Sequence, residues 1–266
     1  MDYYSLHSPI RSLSADQTRQ IMEAEDHLAY QLVDVRQPGE YQQGHLPGAL
    51  LMPLGEVAAR AAELDPARKT IVYCRSGVRS KSGCAIMARL GVEQLYDMEG
   101  GINAWNGEQA EGGVDAGLEI FTPGTFDSPF ELVFQMEAGL KSFYQALAER
   151  ASREDERQML AKLARFEDSH MHKLSQKYGQ LENGASMQIM EGGLNQQQMI
   201  EAFGDQLSSR EKILQLGMKL EAQAFDFYSR LARKYQGEET ESFFNQMAAE
   251  EHSHLLTIAK ELDNLI

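Results

Sequence analysis

The chain has 266 residues, of which 42% are hydrophobic, and carries a formal net charge of −15 at pH 7. Because a chain of this length can bury either one large core or two ordinary ones, two domains are predicted. The negative charge excludes nucleic acid and anionic membranes as expected partners, since both would repel this surface before contact.

The first ten residues, MDYYSLHSPI, lack the basic region and apolar run of a secretory signal. No window approaches the roughly 20 apolar residues that a membrane-spanning helix needs. We therefore expect a cytoplasmic protein without a membrane partner. Its two cysteines, Cys74 and Cys84, are too few for a disulfide framework and do not form a Cys-x-x-Cys pair.

Short apolar runs alternate with helix-period segments up to about residue 105. The runs QLVDV (31–35), TIVYC (70–74) and QLYDM (94–98) predict buried strands, and residues 80–90 predict a helix between two of them. This alternation is typical of an α/β domain with a parallel sheet.

Cys74 stands directly after a predicted strand and directly before a predicted helix, in the segment TIVYCRSGVRSKSG. Such a loop aims backbone N–H groups at one point, and the helix N-terminus, Arg75 and Arg79 add positive potential. The pattern predicts a lowered pKa for the Cys74 thiol and hence a nucleophilic thiolate. The same loop would stabilise a persulfide or a bound oxyanion. A buried, inert cysteine at the end of a strand is the alternative.

Residues 10–106 resemble a single rhodanese domain of the thiosulfate type. The resemblance rests on LVDVRQPGEYQQGHLPGA, YCRSGVRS and MEGGINAW, which occur in the family's order and spacing. The loop from Cys74 to Arg79 has the rhodanese length, whereas the loop of related phosphatases and arsenate reductases is one residue longer. The resemblance implies that Cys74 takes sulfur from a small donor such as thiosulfate as a persulfide and passes it to a thiol acceptor.

The same resemblance implies roles for residues around Cys74. The arginines would orient the anionic donor and backbone amides would hold the persulfide, in a donor-binding segment that comprises Arg75, Ser76, Gly77, Val78 and Arg79. Asp34 and Arg36 match the family's Asp-x-Arg segment and would support the pocket. A local ion pair that stabilises a turn is the alternative for these two residues. Cys84 lies among apolar residues of the following helix and is expected to be buried and structural.

A glycine-rich segment without a sustained period, residues 107–127, predicts a linker between domains at 1–106 and 128–266. From Pro129 onward the chain is helix-period, except at about 179–207. The second domain is therefore predicted to be an all-α helix bundle.

The second half contains an internal repeat. Two glutamates, a tyrosine and a histidine recur after a displacement of 84 residues: Glu137, Tyr144, Glu167 and His170 correspond to Glu221, Tyr228, Glu251 and His254. In each copy the two glutamates are 30 residues apart, so a chain reversal near Ser152 and near Gln236–Gly237 would bring them to the same height on adjacent helices. Each Glu-x-x-His pair shares one helix face.

The two helical hairpins would thus offer four carboxylates and two imidazoles to a common point, as in di-iron and di-manganese bundles. Four buried carboxylates would be costly without cations, so two divalent ions are predicted. Mixed carboxylate and imidazole ligands suit iron, manganese or zinc better than calcium or magnesium. Tyr144 and Tyr228 could hydrogen-bond ligand carboxylates. Chance occurrence of Glu-x-x-His on solvated helix faces is the alternative.

Residues 128–262 resemble the ferritin-like domain of rubrerythrins and bacterioferritins, on this repeat. The resemblance implies a four-helix bundle with two iron ions, with 179–207 as a crossover between the second and third helices. Ala224 stands where rubrerythrins usually have an additional glutamate, so the symmetric set is more similar to that of bacterioferritin. A rubredoxin-type cysteine site is missing from the chain, which implies an external electron donor. A homodimer through the bundle is expected.

The octapeptide AEEHSHLL (249–256) contains two glutamates and two histidines. The repeat selects Glu251 and His254 as ligands. Glu250 corresponds to Phe166, and His252 is about 200° around the helix from His254, so neither is expected to take part in the centre.

These patterns predict a sulfurtransferase domain fused to a di-iron oxidoreductase domain that reacts with peroxide or dioxygen. A non-enzymatic sulfur carrier with an iron-binding or redox-sensing module is the alternative. Turnover of a sulfur donor distinguishes the two hypotheses.

Overall fold

The computed structural model describes residues 10–117, 129–179, 189–190, 194–195, 199–201 and 209–265. The chain divides into two compact units, Met1–Val114 and Asp115–Ile266. Among the described residues, no helix is both long and apolar enough to cross a membrane.

The first unit is a parallel five-stranded sheet with helices. Its strands are β1 (Ile10–Leu13), β2 (Tyr30–Asp34), β3 (Leu50–Leu51), β4 (Lys69–Tyr73) and β5 (Leu95–Met98), in the order β1-β5-β4-β2-β3. Its helices are α1 (Ala15–Ala24), α2 (Pro38–Gln43), α3 (Val57–Arg60) and α4 (Val78–Arg89), with 3-10 turns at Ala61–Glu63 and Gly101–Ala104. The predicted α/β class and the parallel sheet are confirmed.

Both faces of this sheet are buried, as expected of parallel strands covered by helices. Successive side chains of a strand point to opposite faces. Leu32 and Ile71 therefore lie in one apolar cluster, whereas Val33 and Val72 lie in the other. Cys74 continues the second set and lies at the carboxyl edge of the sheet.

The predicted linker is bonded to the first unit in its first residues. The backbone groups of Ala110 and His45 exchange two hydrogen bonds of 2.9 Å, and Gly112 N donates to Gln42 O at 3.0 Å. In the second unit, Arg230 donates to the carbonyl of Ala116 at 2.6 Å. Residues 118–127 of the predicted linker lie outside the described part of the chain.

The second unit contains four long helices, α5 (Pro129–Arg150), α6 (Glu154–Tyr178), α7 (Arg210–Lys234) and α8 (Glu239–Asp263). Helices α5 and α6 pack together, as do α7 and α8. The helices are interrupted at both predicted reversal points, and Gly237 adopts a positive φ of 82° at the second. The predicted all-α four-helix class is confirmed. Of the predicted crossover 179–207, the structure describes a short antiparallel pairing of β6 (Ile189–Met190) with β7 (Leu194–Asn195).

Candidate functional sites

Cys74 lies in the loop between β4 and α4, and its side chain is buried. Gly77 has a φ of +88°, which the left-handed region allows for glycine, and its N–H lies 3.1 Å from Cys74 Sγ. Gly101, with a φ of +58°, lies against the other side of the loop. A Cβ atom at Gly101 would be 2.3 Å from the carbonyl oxygen of Cys74, so this close approach requires glycine.

The loop favours the thiolate form of Cys74. Burial raises the pKa of the thiol, but the backbone and hydroxyl dipoles of Ser80 and the amides of Ser76 and Gly77 outweigh this effect, so the pKa is lowered. This direction is the one that the sequence predicts. Ser80 was not among the predicted residues. Its position in the first turn of α4, directly after Arg79, was the available signal.

A cleft of about 300 Å³ lies beside this loop. Its lining is polar and carries two arginines; it consists of Arg36, Glu40, Gln43, Gly44, Arg75, Ile102, Asn103 and Gln109. Arg75, the residue after Cys74, thus lines this cleft together with Arg36, whereas Cys74 itself is not among the lining residues. Val78 lies at the start of α4 with 73% of its surface exposed.

Arg79 forms a bidentate ion pair with Glu40 of α2, and both N···O distances are 2.7 Å. The hydrogen bonds from Arg79 lower the pKa of Glu40 to about 2. The Arg79 guanidinium group is therefore directed at a carboxylate of the protein. This ion pair joins the segment that follows Cys74 to α2.

Asp34 and Arg36 also form an ion pair. Arg36 Nη2 lies 2.7 Å from Asp34 Oδ2 and 2.6 Å from the carbonyl oxygen of Gly44. The pair is therefore a local ion pair, and Arg36 also lines the cleft.

Cys84 is fully buried in α4, and burial raises the pKa of its thiol to about 12. Such a thiol stays protonated at neutral pH, which agrees with the predicted structural role.

The six predicted metal ligands come from all four long helices. Glu137 lies on α5, Glu167 and His170 lie on α6, Glu221 lies on α7, and Glu251 and His254 lie on α8. The carboxylates and His170 are at most 1% exposed, and the His254 side chain is 14% exposed.

The structure brings these side chains together at two overlapping points. His170 Nδ1 lies 3.1 Å from Glu137 Oε2 and 3.2 Å from Glu251 Oε1. His254 Nδ1 lies 3.4 Å from Glu251 Oε2 and 3.5 Å from Glu221 Oε2. Among the residues that the structure describes, ligand atoms within 4.8 Å of one another occur in two groups: Glu137, Glu167 and His170, and also His170, Glu251 and His254.

One predicted tyrosine contact is present in the structure. The Tyr228 hydroxyl donates to Glu137 Oε1 at 2.9 Å, from α7 to α5. Tyr144, at the corresponding position of the first copy, is equally buried at 0% exposure.

The chemistry of this group fits divalent cations. Neither carboxylate oxygen of Glu221 has a hydrogen-bond partner within the described residues, although Glu221 is fully buried. An ionised carboxylate in that position is costly unless a cation neutralises it. Four carboxylates with two imidazoles are the donor set that transition metals accept.

Two residues beside this centre were missed by sequence reasoning. Glu250 is not in either group of ligand atoms, but its Oε2 lies 3.1 Å from His170 Nε2, a neighbour that the repeat did not predict. Phe166, which holds the corresponding position on α6, stacks on the His254 ring at 4.2 Å. The pairing of these two positions in the repeat was the available signal. His252 lies beside Phe225 instead.

Comparisons with known proteins agree with the two halves. The family model for the rhodanese-like domain matches residues 14–108, and the rubrerythrin model matches residues 131–262. A sulfurtransferase from Allochromatium vinosum is 38% identical over 88 residues, which are 33% of this chain and 79% of that protein.

Further relatives match similar lengths of chain. A thiosulfate sulfurtransferase from Pseudoalteromonas translucida is 29% identical over 38% of this chain and 93% of that protein. A rhodanese-like domain from Anabaena, solved in solution, is 25% identical with a TM-score of 0.36, over 46% of this chain and 89% of that structure.

Proposed function

Because the chain belongs to the rhodanese family and carries a rubrerythrin domain in its second half, we propose that it is a sulfurtransferase fused to a di-iron oxidoreductase. The observation that carries the first activity is the set of donors around Cys74, with the Gly77 amide 3.1 Å from Sγ and a lowered thiol pKa. A thiolate held beside an arginine-lined cleft is suited to attack an anionic sulfur donor.

The proposed sulfur donor is thiosulfate. The Cys74 thiolate attacks its outer sulfur, a new S–S bond forms, the S–S bond of thiosulfate breaks, and sulfite leaves with the electron pair. An acceptor thiolate then attacks the outer sulfur of the persulfide, and Cys74 leaves as a thiolate. No external oxidant or reductant is needed. Arg75 would hold the sulfonate oxygens in the cleft, and the loop amides would stabilise the sulfur anion in each step.

In the bundle, Glu137, Glu167, His170, Glu221, Glu251 and His254 would hold two iron ions; manganese or zinc suits the same donors. Bound iron would supply one-electron chemistry towards peroxide or dioxygen. Tyr228 keeps the Glu137 carboxylate in place through its hydroxyl. Because reduction of one peroxide to two waters consumes two electrons and two protons, the proposal requires an external electron donor.

Thiosulfate-to-cyanide sulfur transfer tests the first activity. Cys74→Ser is expected to abolish turnover, whereas Cys84→Ser, at the buried and protonated thiol, is expected to retain it. Persulfide formation at Cys74 without turnover would instead favour a sulfur carrier. Turnover by Cys74→Ser would exclude the proposed nucleophile.

Metal content tests the second activity. Protein purified without added metal is expected to contain about two iron ions per chain, with the visible absorption of a di-iron centre after oxidation. Glu221→Gln is expected to lower this content, whereas Glu154→Gln, on the exposed face of α6, is expected to leave it unchanged. An equal metal content in wild type and Glu221→Gln would contradict the assignment of Glu221.

A further inference from the structure

A bidentate ion pair sets the charge on one wall of the cleft beside the Cys74 loop. Glu40 lines the cleft, and each of its carboxylate oxygens lies 2.7 Å from a guanidinium nitrogen of Arg79. The amide of Gln37 also donates to Glu40 Oε2 at 3.2 Å, which holds the carboxylate in place. About 30% of each side chain of the pair is exposed, so an anion in the cleft can approach both charges.

The charge of Arg79 reaches the nucleophile. The hydrogen bonds to Glu40 raise the pKa of Arg79 most, and the Cys74 thiolate adds a contribution in the same direction. The wall of the cleft is bonded to the same loop, because the amide of Ile102, a lining residue, donates to the Cys74 carbonyl at 2.8 Å. A change of charge at Glu40 or Arg79 therefore acts on an anion that approaches Cys74 through the cleft.

The cleft has two further arginines, of which one is compensated by a carboxylate. Arg36 is paired with Asp34, with 2.7 Å between Nη2 and Oδ2. Arg75 is exposed and forms no ion pair within the described part of the chain. Because a bidentate carboxylate satisfies the fork of a guanidinium group and cancels its charge, the pair of Glu40 and Arg79 attracts anions weakly. Arg75 is then the uncompensated cation of the cleft.

We propose that Glu40 is a specificity-determining residue that sets the charge of the sulfur donor. By neutralising Arg79, it adapts the cleft to a donor with one negative charge, such as a thiosulfonate, and weakens the binding of a dianion such as thiosulfate. The inference rests on the proposed sulfur transfer and names the charge class of its donor.

A thiosulfonate enters the same reaction as thiosulfate. The Cys74 thiolate attacks the outer sulfur of the donor, a new S–S bond forms, the S–S bond of the donor breaks, and a sulfinate leaves with the electron pair. Thiosulfate and methanethiosulfonate therefore form a pair of donors that present the same reacting atom but differ by one negative charge.

The charge preference is tested with these two donors on the full-length protein, with cyanide as the acceptor. Glu40→Gln removes a charge and keeps the shape of the side chain. Its kcat/KM is expected to rise about 3- to 10-fold for thiosulfate and about 2- to 3-fold for methanethiosulfonate, since a dianion gains twice the Coulomb energy. Arg79→Gln is expected to shift the ratio in the opposite direction, because it leaves the Glu40 carboxylate uncompensated.

Salt and a second glutamate provide the controls. Both shifts should shrink at about 1 M salt, where the Debye length is about 3 Å. Glu63 forms a similar bidentate pair with Arg60, with distances of 2.8 Å and 2.9 Å, but does not line the cleft. Glu63→Gln is therefore expected to keep the donor ratio of wild type.

Alkylation of Cys74 tests the same charges without sulfur transfer. Iodoacetate and iodoacetamide are similar in size, differ by one negative charge, and both react with a thiolate. At a pH where the thiolate is fully formed, Glu40→Gln is expected to raise the rate with iodoacetate about 2- to 3-fold relative to that with iodoacetamide. Burial raises the pKa of Cys84 to about 12, so this thiol does not compete.

The outcomes separate the inference from the proposed function. Sulfur transfer by wild type with an unchanged donor ratio in Glu40→Gln would overturn the inference and leave the proposed function in place. An equal loss with both donors would also overturn it, since this result shows a structural role alone. If wild type transfers sulfur from neither donor, the proposed function fails, whereas a shifted iodoacetate ratio in Glu40→Gln would still support control of anion access by Glu40. If Arg79→Gln unfolds, Glu40→Gln decides the question.

Discussion

The cysteine loop and the carboxylate centre are built in opposite ways. Around Cys74, the groups that act on the sulfur come from adjacent residues, Ser76, Gly77 and Ser80. In the bundle, the ligands come from four helices and span residues 137–254. The first site uses mainly backbone amides, with one hydroxyl from Ser80, whereas the other uses charged and imidazole side chains that only certain residues supply. The Cys74 loop is therefore expected to be more sensitive to changes in backbone conformation than to most side-chain changes. The carboxylate centre is expected to be more sensitive to changes in its side chains.

The largest effect is expected where a side chain disturbs the backbone of the loop. Gly101→Ala places a Cβ 2.3 Å from the Cys74 carbonyl oxygen at a φ of +58°, so we expect destabilisation by roughly 2–4 kcal/mol. Sulfur transfer should be lost. Urea unfolding of the variant and thiosulfate-to-cyanide turnover measure the two effects.

Gly39→Ala is the control, since a Cβ added at Gly39 would meet no described atom within 4 Å. Retention of full sulfur transfer by Gly101→Ala would contradict the dependence of the loop on its backbone. The cobalt stoichiometry of Gly101→Ala measures whether the bundle responds to a change in the other unit.

In the bundle, removal of the Glu221 charge is expected to stabilise the metal-free protein and to destabilise the metal-bound protein relative to wild type. Glu221→Gln removes a buried carboxylate without hydrogen bonds to the described residues, so the metal-free variant should be more stable by about 1–3 kcal/mol. With Co²⁺ present, the order should reverse because the variant has lost a ligand. Thermal unfolding with and without Co²⁺ measures both signs. The same sign under both conditions would argue against Glu221 as a ligand.

A smaller effect is expected from the hydroxyl of Ser80. This hydroxyl helps to lower the pKa of Cys74, so Ser80→Ala should raise that pKa. The alkylation rate of Cys74 by iodoacetamide should then reach its plateau at a higher pH than in wild type. Ser76→Ala is the matched control, because Ser76 contributes its backbone amide. An equal shift in both variants would show that the hydroxyl has no separate role.

The smallest effect is expected from the partly exposed pair of Glu40 and Arg79. The folded-state pKa of Glu40 is lowered to about 2 from its usual 4.5, so the pair stabilises the fold above pH 4.5 and this contribution is lost as the pH falls towards 2. Because about 30% of each side chain is exposed, Glu40→Gln should cost no more than about 1 kcal/mol at neutral pH. Urea unfolding between pH 2 and pH 7 measures the loss. An identical pH dependence in wild type and variant would contradict it.

Much of the fold follows from patterns along the chain. The three predicted strands match β2, β4 and β5 within one residue at each end, because central strands of a parallel sheet are continuously apolar. The edge strands β1 and β3 were not predicted. β3 has two residues, and β1 has no buried residue, with its two central residues exposed, so neither carries the pattern of a buried strand.

The side-chain partners were less predictable than the elements. Arg79 was expected to face the sulfur donor, but it pairs with Glu40, which lies 39 residues earlier. Glu250 was not expected to be a ligand, and its contact with His170 of another helix was not predicted. In both cases the sequence predicted where the residue lies along and around its helix. It did not predict which residue of the neighbouring element packs against it.

The sequence by itself determined the positions that bear chemistry. A cysteine between a strand and a helix specifies a loop of amides through local backbone geometry, and an 84-residue repeat specifies which carboxylates and imidazoles share a helix face. Only the tertiary structure decided which of the remaining charges meet. Helix periodicity constrains direction around an axis, but a 3.1 Å contact such as that between Glu250 and His170 depends on how α6 and α8 pack, which the whole core sets.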